Sequence, residues 1–193
     1  MNEVQLLEKF ITSVYPLPAR SLQNFLLIWE PVSVKRKTIL TRAGDTERNL
    51  YFVTEGIQRV FYYDELDREA TIIFSYPPSF FGVADSFLLQ TPSRFFAETL
   101  TASTFLKTNF HQLDKLMKAD PEIERMIRFL TTAAFSGLME RMIEIQCFSS
   151  EEKYKALLKR SPHILNLIPH KYIANYLGID ATNFSKLLSK VKI

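Results

Sequence analysis

The sequence predicts an α+β chain built as an N-terminal antiparallel β jelly-roll barrel, one long helix and a C-terminal helix-turn-helix. Three observations carry this prediction. Short β-type runs follow one another from Val32 to Asn109 with no helical repeat between them. From Asp120 onward apolar residues recur at helical spacing for about 27 residues, ~40 Å of helix at 1.5 Å per residue. Finally, Ile168–Lys190 reads as two short helices about a tight turn.

Val4, Leu7, Phe10 and Ile11 give residues 3–30 a helical period, broken at Pro16/Pro18, and Ser21 is placed to cap a second segment, Leu22–Trp29. The β-type runs are Val32–Val34, Thr38–Thr41, Leu50–Thr54, Ile57–Tyr63, Glu69–Tyr76, Phe95–Ala102 and Ser103–Asn109. Ala43-Gly44-Asp45, Glu55-Gly56 and Asp64–Asp67 supply turns, and Pro77-Pro78 ends a strand. Sixteen phenylalanines and eight tyrosines are available to fill the barrel.

After Asn109 the helical period returns with Phe110–Lys118. Asp120-Pro121-Glu122 is a helix start: a capping carboxylate, a proline whose missing N–H costs nothing there, and an acid at the positive end of the dipole. Ile123, Ile127, Leu130, Ala134, Leu138, Met142 and Ile145 form one row at i+3/i+4 spacing. That row either packs on its own barrel or pairs with a second copy. The helix's length, and the need of helix-turn-helix proteins for two half-sites, favours the dimer. Ser149–Glu152 resets the chain, and Lys153–Lys159 forms a further helix that Pro162 breaks. The expected divisions are 1–119, 120–148 and 149–193.

In the final motif Ile173 and Leu177 share a face, Ala174 and Gly178 permit a close crossing, and Asp180 caps the second helix. Phe184, Leu187 and Leu188 face inward, leaving Thr182, Asn183, Ser185 and Lys186 outside. A second helix of this kind enters the DNA major groove. Asn suits adenine and Lys suits guanine, so Asn183, Lys186 and Thr182 are the candidate base readers, with Ser185 on phosphate. Lys171, Asp180 and Lys190 complete the expected interface. From Ser149 onward eight basic residues, Lys192 among them, face three acidic ones. That local balance of +5 within a net +3 suits phosphate neutralisation.

Bulk properties exclude other classes. With 47% hydrophobic residues among 193 the chain is globular. No apolar run approaches the ~20 residues of a membrane span, and the start lacks the basic-then-apolar order of a secretory signal. The cytoplasm is the expected location and no membrane partner is expected. The one cysteine, Cys147, is read as a buried inert thiol. The three histidines, His111, His163 and His170, lie at or beyond the barrel's end, which excludes a cupin-like metal centre. No Ser/His/Asp set, P-loop or haem or iron–sulfur ligand set is visible, so neither an enzyme nor a resident cofactor is expected.

Barrel, long helix and helix-turn-helix in this order resemble the Crp/Fnr superfamily of bacterial transcription regulators, the group of the catabolite activator protein, over nearly the whole chain. Leu40–Asp45 with Leu50–Gly56 looks like the family's early strands and glycine turns. Phe80-Phe81-Gly82 with Pro92-Ser93-Arg94 looks like its phosphate-binding cassette. IPHKYIANYLGI is especially like the Bacteroidetes-type branch. The resemblance implies that residues 1–119 are a cyclic-nucleotide-binding-like sensor, that 149–193 are winged-helix-like, and that the protein is a homodimer on double-stranded DNA with RNA polymerase as a further partner.

The resemblance also places an effector pocket at Phe81, Gly82, Val83, Asp85, Arg94 and Phe95. Cyclic-nucleotide-binding relatives carry a glutamate after the cassette glycine for the ribose hydroxyl, and an arginine followed by a small hydroxyl residue for the phosphate. Here Val83 stands at the glutamate and Phe95 at the hydroxyl position, so cyclic AMP is not the expected ligand; the effector is another small molecule or none. Ala181 and Thr182 likewise replace the arginine and glutamate that open the family's recognition helix. The alternative is a cyclic-nucleotide-dependent interaction module that never touches DNA.

Overall fold

A computed structural model of the chain describes residues 2–190. The chain begins with α1 (Glu3–Val14), whose N-terminus is closed by a reciprocal Asn2/Gln5 capping box. Helix α2 (Ala19–Leu26) begins directly after Pro18, so Ser21 is buried inside it and does not cap Leu22–Trp29. Proline already fixes a φ suited to a helix entry, and the chain needs residues 27–29 to turn into the first strand.

Eight strands follow: β1 (Glu30–Val34), β2 (Ile39–Thr41), β3 (Asn49–Glu55), β4 (Gln58–Tyr63), β5 (Glu69–Ser75), β6 (Ser79–Phe81), β7 (Phe96–Thr99) and β8 (Ser103–Asn109). They form two four-stranded antiparallel sheets in the orders β1-β8-β3-β6 and β2-β7-β4-β5, the expected jelly roll. Pro31 is tolerated because β1 is an edge strand. Gly56, with φ +87°, makes the β3–β4 turn; a Cβ there would collide with the Ala102 carbonyl and Ser103. Strand β6 and the short helix α3 (Ala84–Leu89) occupy the stretch that resembles the phosphate-binding cassette.

Helix α4 (Phe110–Ala119) leads to α5 (Pro121–Cys147), capped by Asp120 through the Glu122 N–H at 3.1 Å. Leu7, Ile11, Phe25, Phe52, Leu113 and Ile123 belong to the core that joins the N-terminal helices, one sheet and the first turns of α5. Helices α6 (Ser150–Arg160), α7 (Ile164–Leu167), α8 (His170–Leu177) and α9 (Ala181–Lys190) complete the chain. No strand occurs beyond residue 149 among the described residues, so the winged part of the expectation is not met there. Lys192 lies outside the described residues.

The row along α5 divides in two. Ile123 and Ile127 are buried and Leu130 partly buried in the chain's own core, so these three do not face a partner. Ala134, Leu138, Met142 and Ile145 are exposed. Each step of four residues overshoots a full turn by about 40°, so from Leu130 to Met142 the row swings about 120° from the inner to the outer face. The outer face is a different set: Phe135, Leu138, Met139, Met142 and Ile143, all 41–62% exposed and spaced i, i+3, i+4, i+7, i+8. Cys147 is exposed, not buried, because it ends this outward helix.

Candidate nucleic-acid interface and effector pocket

Helix α8 stops at Gly178, whose φ of +64° is the left-handed cap. The Gly178 N–H donates to Asn175 O at 3.1 Å and the Ile179 N–H to Ala174 O at 3.0 Å, the paired bonds of a Schellman turn. Ile179 and Ala174 close it by burying together. Asp180 then caps α9, accepting from the Asn183 N–H at 2.9 Å. Phe184 is buried against Tyr154, ring centroids 5.7 Å apart, with Leu187 and Leu188 partly buried beside it.

The other side of α9 is open. Thr182, Asn183, Ser185, Lys186 and Lys190 are all exposed, as is Lys171 on α8. Two expectations change in detail. The Asp180 carboxylate is taken up by the Asn183 backbone and also by its side-chain amide, which makes it a helix cap that would repel phosphate. Asn183 therefore presents an amide already tied on its nitrogen side. Ser185 donates its hydroxyl to Ala181 O at 2.9 Å and keeps lone pairs outward. Lys171 lies over the Tyr172 ring, 4.7 Å from its centroid, and Lys190 is 3.8 Å from Glu151 at 76% side-chain exposure.

The effector region is less open than the sequence implied. Val83 is buried in the barrel interior with Tyr51, Val53, Val60, Phe81, Ala97 and Phe105. Tyr51, Phe81 and Phe105 pack with ring centroids 5.2–6.3 Å apart between the sheets, Phe81 stacked on Phe105 and Tyr51 tilted against both. Arg94 and Asp85 point to solvent, and neither has a side-chain partner among the described residues. Phe95 is partly buried. Its N–H donates to Ser93 Oγ at 2.9 Å, and that hydroxyl donates back to Phe95 O at 2.8 Å. Of the six expected pocket residues, Phe81 and Val83 are buried in the core, Gly82 and Phe95 are half-buried, and Asp85 and Arg94 are exposed.

A residue the sequence did not mark stands at the centre instead. Glu47, only 2% exposed, accepts from the Thr41 hydroxyl, from the Asn49 N–H at 3.1 Å and from the Val83 N–H at 3.5 Å. Its own N–H donates to Ser86 Oγ at 2.9 Å, and Gln90 Nε2 donates to its carbonyl at 3.2 Å. The chain's own carboxylate therefore takes the amide at the head of α3. Burial pushes the Glu47 carboxyl above its ordinary value, against the pull of Thr41 and the backbone N–H bonds. Burial and the nearby Glu47 charge push the Tyr51 phenol up to about 12. Flanked by Thr46 and Arg48 in a polar turn, Glu47 carries no sequence signal that separates it from a solvated glutamate.

The helix-turn-helix is joined to the barrel. Ile57 and Leu100 of the barrel share a core with Tyr154, Ile173, Leu177 and Phe184. Arg59, 4% exposed, pairs with Glu69 at 2.7 Å and Glu98 at 2.9 Å, and its guanidinium lies 4.3 Å from the ring centroid of Tyr172 on α8.

The family model for the cyclic nucleotide-binding domain matches residues 31–120. An anaerobic regulatory protein of Pasteurella multocida is 24% identical over 170 residues, 82% of this chain and 62% of that protein. The namesake from Haemophilus influenzae is 24% identical over 168 residues, 81% of this chain and 65% of its own length. The chain thus spans less than two thirds of the curated relatives it matches. Among solved structures, FixK2 from Bradyrhizobium japonicum superposes with a TM-score of 0.77 at 16% identity, covering 84% of each chain. The catabolite activator protein of Thermus thermophilus gives 0.57 at 20% identity, covering 91% of this chain and 84% of that one. Residues 31–120 thus match the cyclic nucleotide-binding domain family, and the chain shares its fold with FixK2 and the catabolite activator protein.

Proposed function

We propose that this protein is a DNA-binding transcription regulator of the Crp/Fnr type, acting by binding rather than catalysis. One observation carries the reading. Helix α9 is held on a buried core by Phe184 and presents Thr182, Asn183, Ser185, Lys186 and Lys190 outward, behind a Schellman turn that fixes its angle to α8. The likeness to regulators over both the barrel and the helices supports it.

The protein works as a homodimer. Phe135, Leu138, Met139, Met142 and Ile143 pair with their counterparts across a two-fold axis; being already about half covered, each gains about 1 kcal/mol on full burial. Two recognition helices then reach half-sites about 34 Å apart on a pseudo-palindrome. A regulator of this kind works in the cytoplasm, where the DNA and RNA polymerase are.

Its barrel does not take cyclic AMP. Glu47 holds the Val83 N–H, Val83 offers no acceptor to a ribose hydroxyl, and the aromatic rings fill the interior. A mobility-shift titration of the full chain on fragments of its own genome tests the function: discrete retarded complexes that fade with added salt are expected. No complex at low salt on any fragment would remove the DNA-binding reading.

A further inference from the structure

A half-open cavity of about 260 Å³ lies where β5, α5 and the helices of the C-terminal domain meet. Phe74, Leu138, Leu157 and Ile164 give it apolar walls. At about 30 Å³ per water it has room for about nine waters, or a ligand of about ten non-hydrogen atoms.

Its polar side is unusually well built. Arg141, 7% exposed, pairs with Glu144 at 3.2 Å, donates to the Tyr176 carbonyl and stacks on the Tyr176 ring with its guanidinium 4.0 Å from the centroid. Arg160 pairs with the same Glu144, one bond at 3.0 Å, while its side chain stays 41% exposed. Two guanidiniums against one carboxylate leave a single positive charge on the cavity wall. Burial alone would raise the Glu144 carboxyl, but Arg160 and Arg141 hold it below its ordinary value, so it stays ionised and the excess remains one. Tyr76 and Ser161 add a hydroxyl pair 2.6 Å apart.

Gly137 is the second, independent observation. It lies in the middle of α5, lines the cavity, and costs the helix about 1 kcal/mol relative to alanine. Within the single chain neither usual reason for glycine applies: its backbone is helical, and a Cβ at this exposed position would meet nothing within 4 Å. What the missing side chain does is leave the cavity open.

We propose that this cavity is a binding site for a small carboxylate with a compact apolar body, its carboxylate on Arg160 and its apolar part against Phe74, Leu157 and Ile164 beside Gly137. Because the site touches the barrel, the long helix and the helix-turn-helix together, its occupant shifts their arrangement and hence DNA affinity; that second step rests on the DNA-binding reading, the binding itself does not.

Calorimetry on the full chain uses 3-phenylpropanoate as the probe and 3-phenylpropanamide as its uncharged match. The acid is expected to bind at least about tenfold more tightly than the amide, the worth of one charge-assisted pair. Gly137→Leu fills the cavity with a better helix former, so it is expected to fold as well as the natural chain and to lose the acid. Arg160→Gln is expected to erase the preference for acid over amide, and Arg160→Lys to restore part of it. Equal binding of acid and amide, binding unchanged in Gly137→Leu, or no binding of the acid at millimolar concentration overturns the site. Acid binding with DNA affinity unmoved overturns the regulatory step alone, whereas a chain that binds the acid but never DNA overturns the proposed function and leaves the site standing.

Discussion

The side-chain amide of Asn175 completes the open edge of the barrel at Thr71. Asn175 Oδ1 accepts from the Thr71 N–H at 2.6 Å, and its Nδ2 donates to Glu69 O at 2.7 Å, across 104 and 106 positions of chain. Strand β5 ends its sheet, so its outward backbone groups have no strand to pair with. One amide from α8 satisfies two of them and fixes the helix-turn-helix to the barrel. Asn175→Ala removes both bonds, at a cost of about 1–3 kcal/mol if the freed groups stay covered. Hydrogen exchange at the Thr71 amide is expected to speed up while exchange in β3 stays slow. Unchanged exchange at Thr71 would show that another group holds this edge.

Glu47 makes the stability of the barrel depend on pH. Its carboxyl is raised by burial, so the folded chain holds the proton more tightly than the unfolded one. Across the window between the ordinary carboxylate value and the raised one, folding takes up a proton and stability falls as pH rises. A glutamine side chain at this position does not titrate. Denaturant midpoints of the natural chain and Glu47→Gln, compared from pH ~4 to ~8, are expected to shift progressively in favour of the variant as pH rises. A constant difference over that range would mean that Glu47 is as comfortable ionised as in water.

The same carboxylate bears on the ligand. Cyclic AMP titrated into the full chain is expected to give no binding heat at micromolar protein, because its phosphate would have to displace Glu47 and its ribose hydroxyl would be buried against Val83 without an acceptor. A saturable micromolar isotherm would show that the barrel opens in a way its packed rings do not suggest.

Dimerisation separates the two faces of α5. Phe135→Glu or Met142→Glu puts a charge in the middle of the exposed apolar band and is expected to give monomers in sedimentation, with the fold intact. Ile123→Ala, on the inner face, is expected to cost about 2–5 kcal/mol of stability instead. Dimers persisting in both charged variants would place the interface elsewhere.

How much of this was legible in the residues differs from element to element. The capping signal Asp120-Pro121-Glu122, the breaker pair at Pro16 and Pro18, and the turn at Gly56 are local, and each stands where the sequence puts it. The exposed and buried sides of α9 follow from a single helical period, and they too were readable. Long-range relationships were not. Nothing local distinguishes buried Glu47 from a solvated turn glutamate, because its partners Thr41, Val83 and Ser86 come together only when three segments fold. The row along α5 misled because spacing alone cannot say where a helix leaves its own core for solvent; the change comes after Leu130. Ser21 shows a local cap signal losing to Pro18.

Selection from random-sequence duplexes by the purified full chain, followed by sequencing, asks whether α9 reads DNA as one half of a symmetric pair. The expected result is an enriched inverted repeat whose half-sites are centred about one helical turn, roughly 10 base pairs, apart. In Lys186→Ala the selected sequence is expected to relax at one position of each half-site, at a cost of about 1–3 kcal/mol. A pool that stays random through every round, or an enriched site with no two-fold symmetry, would show that α9 does not read DNA as one of a symmetric pair.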